Sequence, residues 1–160
     1  MRTIRAVIET PKGSTQKYTY DHKKKHFELG KILPSGMAFP YDFGFIPGTK
    51  GEDGDPLDII IISEFGTFPG CWIECRIIGC IKARQTEKDN RTVRNDRYLA
   101  VPEATCVFSD IRSYRDLPKE TVEQLIAFFI NYNRLSGKEF DPIKISGPAT
   151  SYAALKKIMK

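Results

Sequence analysis

The sequence predicts an α+β fold in a single domain spanning residues 1–160, a small β-barrel followed by two packed helices in the C-terminal third. Three observations predict it. Short β-type runs at 3–9, 17–21, 26–29, 57–62, 72–81 and 97–101 fill the first two thirds, and Gly and Pro punctuate them as in a small barrel. The apolar period then changes: Val122, Leu125, Ile126, Phe129, Tyr132 and Leu135 recur every three to four residues, the spacing of a helix of about five turns. Finally, 160 residues of which 41% are hydrophobic suffice for one core, and no repeat or linker-like stretch divides them.

The elements can be justified in order. Residues 3–9 and 17–21 are rich in β-branched and aromatic side chains, and 26–29 follows the basic tip His22-Lys23-Lys24-Lys25-His26 as the return arm of a hairpin. That tip is expected to be solvated and to discourage edge pairing. Residues 57–62 form an apolar strand behind an acidic turn, and 72–81 and 97–101 complete the β-rich part. The long helix opens behind Asp116-Leu117-Pro118, and Gly137 lies just past its end. Gly147-Pro148 breaks the chain before a shorter helical run through Tyr152, Leu155 and Ile158.

Composition narrows the function classes. The longest apolar stretch, 125–130, falls far short of the roughly 20 residues that cross a bilayer, and residues 1–5 carry no apolar signal region. No membrane partner is expected, and the expected location is the cytoplasm. A net charge of +5 favours anionic ligands, but the basic residues are scattered, unlike a nucleic-acid footprint, and no nucleic-acid partner is expected. The four cysteines are expected to be reduced, with Cys71 and Cys75 acting as small buried hydrophobes rather than half of a zinc site.

The chemistry concentrates in Gly51-Glu52-Asp53-Gly54-Asp55-Pro56-Leu57-Asp58. Two like charges about 4 Å apart repel by roughly 4 kcal/mol at an effective dielectric near 20, so carboxylates converging at the mouth of an apolar strand need a cation, and a hard divalent metal is the natural one. A solvated acidic turn is the plainer alternative. An EF-hand fails, because Asp58 stands where that loop needs glycine and strand-like residues replace its helices.

The run Asp53-Gly54-Asp55-Pro56-Leu57-Asp58 resembles the signature of the soluble family I inorganic pyrophosphatases. The likeness extends to Val7-Ile8-Glu9-Thr10-Pro11-Lys12-Gly13 with Lys17-Tyr18, to residues 37–46, to Ala100-Val101-Pro102, and to Phe128-Phe129 with Tyr132. It implies a five-stranded OB-type barrel with packed helices, Mg²⁺ as cofactor, pyrophosphate as substrate, and a homo-oligomer, usually a hexamer; the fewer carboxylates of this sequence make Mn²⁺ an alternative. Carried over, Asp53 and Asp58 are metal ligands, Glu9 serves the metals on the substrate side, and Asp55 orients or deprotonates the attacking water. Lys17, Lys31, Arg97 and Tyr132 face phosphate.

The sequence also departs from that pattern. Thr19 and Asn95 stand where carboxylates are usual, Asn133 replaces a lysine, Lys31 replaces an arginine, Arg97 replaces a lysine, and Phe39 and Phe43 replace tyrosines. Asn95 keeps a neutral carbonyl for the metal. Asp96 is expected to point to the opposite face, so Glu87 and Asp89, on a polar loop 85–94, are the candidates for one more ligand. The expected function is metal-dependent pyrophosphate hydrolysis; the alternative is a weakly active or inactive relative that binds pyrophosphate, phosphate or a phosphorylated metabolite.

Overall fold

A computed structural model describes residues 3–159. Strand β1 (Thr3–Thr10) pairs antiparallel with β4 (Asp42–Phe45), which pairs with β5 (Asp58–Ile61); β5 runs parallel to β8 (Arg97–Pro102), and β8 pairs with β6 (Trp72–Thr86). The first half of β6 returns to β1, which closes a ring of strands β1, β4, β5, β8 and β6. This is the small barrel that the strand pattern predicts, of the OB type that the resemblance implies. Beyond the ring, β6 carries β7 (Thr92–Arg94) and β9 (Glu139–Ser146), while β2 (Gln16–Asp21) and β3 (His26–Ile32) form a separate hairpin.

Three expectations change. Strand β4 fills the ring position that the sequence leaves to the hairpin arms; it has only four residues, one of them glycine, and so gives little periodic signal. Strand β9 was not visible because Pro142 and the charges around it argue against a strand, yet the proline sits beside a bulge where the ladder shifts register. The polar stretch 85–94 is not a loop. Strand β6 runs on to Thr86, and Glu87 to Arg91 make a tight turn into β7, with Asn90 at φ +64° and the Glu87 N–H donating to the Arg91 carbonyl.

Both faces of β5 and β8 are buried, which explains the unbroken isoleucines. Ile59, Ile61, Tyr98 and Ala100 join one core with Ile8, Ile77 and Leu155 of α2 (Pro148–Ile158). Ile60, Ile62, Leu99 and Val101 join the other, with Leu125 and Phe129 of α1 (Lys119–Leu135). Cys75 and Cys80 are fully buried, whereas Cys71 is half-buried rather than part of the core interior. Among the described residues no helix is long and apolar enough to cross a membrane.

Two backbone features fix the entrance to the barrel. Asp42 is buried and satisfied: it accepts from the Lys12 N–H at 2.7 Å and from the Thr67 hydroxyl at 2.7 Å, tying two loops to β4. Gly44 lets β4 approach β1 so closely that a Cβ would lie 2.0 Å from the Val7 carbonyl oxygen. Backbone on both sides leaves nowhere for that carbon to go, so Gly44→Ala should destabilise the fold by about 3 kcal/mol, the range of severe core overpacking. Denaturant unfolding checks this, and a variant within about 0.5 kcal/mol of wild type would show that the strands can move apart.

Candidate active site

The parallel pairing of β5 with β8 sets Asp58 directly beside Arg97 at the head of the two strands. Both belong to the face that α1 covers, one step of alternation before Ile60 and Leu99. The Arg97 guanidinium lies against the rings of Phe129 and Phe140, 4.6 and 4.4 Å from their centroids, and the residue is only 4% exposed. Its Nη2 stands 3.8 Å from Asp58 Oδ2, and its Nη1 donates weakly to the Asn95 carbonyl at 3.5 Å. Its Nε is buried with no partner among the described residues. A group with five N–H donors thus lies at a cavity wall short of acceptors. Asp58 shows the complementary deficit: burial pushes its carboxyl up to about 6 even though Arg97 and Lys17 pull it down.

Around this pair lies a cavity of about 420 Å³ with two kinds of wall. The acidic wall carries Asp53, Asp55, Asp58 and Glu9. Gly54, at φ +87°, lets the turn close from the Gly51 N–H to the Asp55 carbonyl, and Asp53 Oδ1 accepts from the Asp55 N–H at 3.0 Å. Burial raises the Asp53 carboxyl, and the charges of Asp55 and Glu87 add to it. Glu9 lies at a bulge of β1, unpaired with β4, and accepts from the Tyr20 N–H at 2.7 Å.

The cavity also carries basic residues. Lys17 lies 4.3 Å over the Phe43 ring, and its burial lowers its pKa against the pull of Glu9 and Asp58. Lys31 sits 4.0 Å over the Tyr132 ring and bonds the Ser136 hydroxyl; burial, then Lys138, Lys17 and Lys88, lower its pKa. Burial pushes the Tyr132 phenol up to about 12, so it is a neutral donor at the cavity edge.

The fold therefore brings together Glu9, Lys17, Lys31, Asp53, Asp55, Asp58, Asn95, Arg97 and Tyr132. It does not bring in Asp89. That residue sits at the exposed tip of the β6–β7 turn, accepts from the Arg91 N–H at 3.1 Å and leans on the Arg91 side chain, because the turn carries it out past the end of the strands. Asp96 points away as alternation requires, toward Lys82 and Arg94 at 3.1 and 2.8 Å. Asn95 faces the cavity and donates to Gln85 Oε1 at 2.9 Å; Asn133 is buried and donates to the Phe129 carbonyl of its own helix at 2.8 Å.

Sequence reasoning missed Gln85, His22 and Lys138. Gln85 reads as an ordinary polar residue until β6 is known to extend to Thr86. His22 belongs to the basic tip, which is exposed as expected, and its ring also packs on Tyr20 and Phe45 and lines the cavity. Lys138 is delivered by the way α1 ends, where Gly137 at φ +75° turns the chain back and the Lys138 N–H closes on the Asn133 carbonyl at 2.9 Å.

Carboxylate oxygens with neutral amides beside them are the donor set of a hard divalent cation, so the residues present fit one. Among the described residues no three acidic, histidine or cysteine side chains are grouped closely enough to hold a metal ion.

The sequence profile of the family described as inorganic pyrophosphatase matches residues 6–160. The chain belongs to the inorganic pyrophosphatase family. Among curated relatives, an inorganic pyrophosphatase of Halalkalibacterium halodurans is 36% identical over 138 residues, 86% of this chain and 82% of its own length. One from Sulfolobus acidocaldarius is 34% identical over 157 residues, 97% of this chain and 87% of its own. The crystal structure of inorganic pyrophosphatase from Thermus thermophilus superposes with a TM-score of 0.90 at 27% identity, covering 99% of this chain and 90% of that one. This inorganic pyrophosphatase family has a divalent cation as its general cofactor.

The raised carboxyl at Asp58 has a consequence for stability. Unfolded, an aspartate titrates near 3.9, so between about pH 4 and 6 the cation-free folded state holds the extra proton and stability falls as pH rises toward the folded value. From pH 5 to pH 7, cation-free wild type should lose about 1 kcal/mol relative to Asp58→Asn, which cannot titrate. Urea unfolding of both proteins at the two pH values checks it; parallel stabilities would place the Asp58 carboxyl near its ordinary value.

Proposed function

We propose that this chain hydrolyses inorganic pyrophosphate to two phosphates with the help of divalent cations. The observation that carries the reading is the buried Arg97, with donors short of acceptors, beside Asp58, with a carboxylate short of positive charge. A phosphate oxygen answers the first deficit and a cation answers the second, so the ligand that satisfies both is a phosphoanion bound together with its metal. Membership of the inorganic pyrophosphatase family supports the same substrate.

In this reading Asp53 and Asp58 hold the cation, Glu9 serves it from the substrate side, and the Asn95 carbonyl is a neutral ligand. Mg²⁺ is the proposed ion and Mn²⁺ the alternative. Bound there, a divalent cation lowers the pKa of a coordinated water and polarises phosphoryl oxygens. Asp55, on the exposed turn, orients the attacking water and accepts its proton. Lys17 and Arg97 hold one phosphoryl group in line, and Lys31 and Tyr132 take the departing phosphate. The apolar backing of Phe39, Phe43 and Phe129 keeps these charges strong by excluding bulk water. A homo-oligomer, a hexamer by the family pattern, and a cytoplasmic setting complete the proposal; exposed Ile32, Phe68 and Trp72 are apolar surface of the kind that assembly covers.

Phosphate release from pyrophosphate, with and without Mg²⁺, tests the activity, and no release at any Mg²⁺ or Mn²⁺ concentration would contradict it. Asp58→Asn should lose at least about a hundredfold in turnover while keeping a native near-UV circular dichroism spectrum; a wild-type rate would remove Asp58 from the cation site. Because Asn95 and Thr19 bring no charge, the rate should still climb with Mg²⁺ well above the micromolar range, and saturation at low micromolar Mg²⁺ would show that the cations are held without those carboxylates.

A further inference from the structure

Beside Asp58 the cavity wall continues as an unbroken chain of side chains. Asn95 Nδ2 donates to Gln85 Oε1 at 2.9 Å, Gln85 Nε2 donates to Glu87 Oε1 at 3.0 Å, and Glu87 Oε2 is paired with Lys138 Nζ at 2.9 Å. All four residues line the cavity. Gln85 and Glu87 stand two residues apart, so β6 and the first position of its turn present both toward the site.

The pair at the end of this chain brings one charge of each sign into the cavity. Lys138 lies close enough to the phosphate-facing Lys31 for their like charges to act against each other. Glu87 lies close enough to Asp53 for their like charges to do the same. Each member is thus held by its partner while facing a group of its own sign. A phosphoanion seated on Lys17 and Lys31 would compete for Lys138, and a cation on Asp53 would compete for Glu87. Exchanging one ion pair for two conserves charge and leaves no group unpaired.

We propose that Glu87 and Lys138 form an exchange pair: an incoming phosphoanion takes Lys138 and frees Glu87 to serve as the additional carboxylate ligand of the cation, which Gln85 and Asn95 cannot supply. The proposal rests on the functional reading above and adds a coupling to it. Phosphate binding raises cation affinity through this pair, and by linkage the cation raises phosphate affinity by the same factor. Before phosphate arrives, Lys138 neutralises Glu87 and holds cation affinity down.

The test uses Mn²⁺ as the probe, with free Mn²⁺ counted by electron paramagnetic resonance on the full chain without pyrophosphate. Lys138→Met should bind Mn²⁺ about fivefold or more tightly than wild type, because Glu87 is released permanently. The gain should vanish when Glu87→Gln is added, so that the double variant matches Glu87→Gln alone. Inorganic phosphate should tighten Mn²⁺ binding to wild type and narrow its gap to Lys138→Met. A Lys138→Met protein no tighter than wild type would overturn the proposal. So would a gain that persists in the Glu87→Gln background, since loss of any nearby cation would then explain it. Near-UV circular dichroism checks folding, which the partial exposure of both side chains favours. An inactive chain still answers this test, whereas failure of every variant to bind Mn²⁺ would overturn the cation reading beneath it.

Discussion

The site is organised around one unfinished ion pair. Asp58 and Arg97 are neighbours because parallel β5 and β8 place them in register, yet at 3.8 Å they do not form a tight bidentate contact. Burying two charges costs several kcal/mol per ion unless their geometry and remaining hydrogen bonds compensate. Here Arg97 packs against two aromatic rings and has an Nε with no acceptor among the described residues, while Asp58 is pushed toward protonation. The pair is therefore incomplete in a definite way, wanting an anion on one side and a cation on the other. The remaining charged residues of the cavity extend these two demands across its walls.

The barrel supplies the rigidity that such a site needs. Strands buried on both faces fix the heads of β5 and β8, and the close contact at Gly44 holds β4 against β1. Helix α1 then brings Phe129 and Tyr132 over the open end, so one amphipathic helix provides the apolar backing of Arg97 and the aromatic seat of Lys31. Like charges stand close together on each wall, lysines with Lys31 and carboxylates with Asp53. Such crowding of like charge is how functional sites commonly depart from the most stable packing.

Much of this was legible in the amino-acid sequence, for physical reasons. The period of α1 and the four isoleucines behind Asp58 follow directly from burial, and the acidic run stands out because it opens an apolar strand. What escaped depends on tertiary context. Strand β4 has too few residues to show alternation, and β9 carries a proline that only its bulge accommodates. Asp89 resembles a ligand by type, but a turn with Asn90 in the left-handed region throws it outward. Gln85 and Lys138 carry no signal of their own. One reaches the cavity through the unexpected length of β6, the other through the reversal at Gly137.

The central claim is that a cation and a phosphoanion complete the Asp58–Arg97 pair from opposite sides. Crystals grown with Mn²⁺ and inorganic phosphate, with data collected at the manganese absorption edge, test it most directly. The account predicts anomalous density between Asp53 and Asp58 and a phosphate within hydrogen-bond distance of Arg97 and Lys17. Manganese bound elsewhere, with Asp58 still facing Arg97 alone and no anion against the guanidinium, would contradict it.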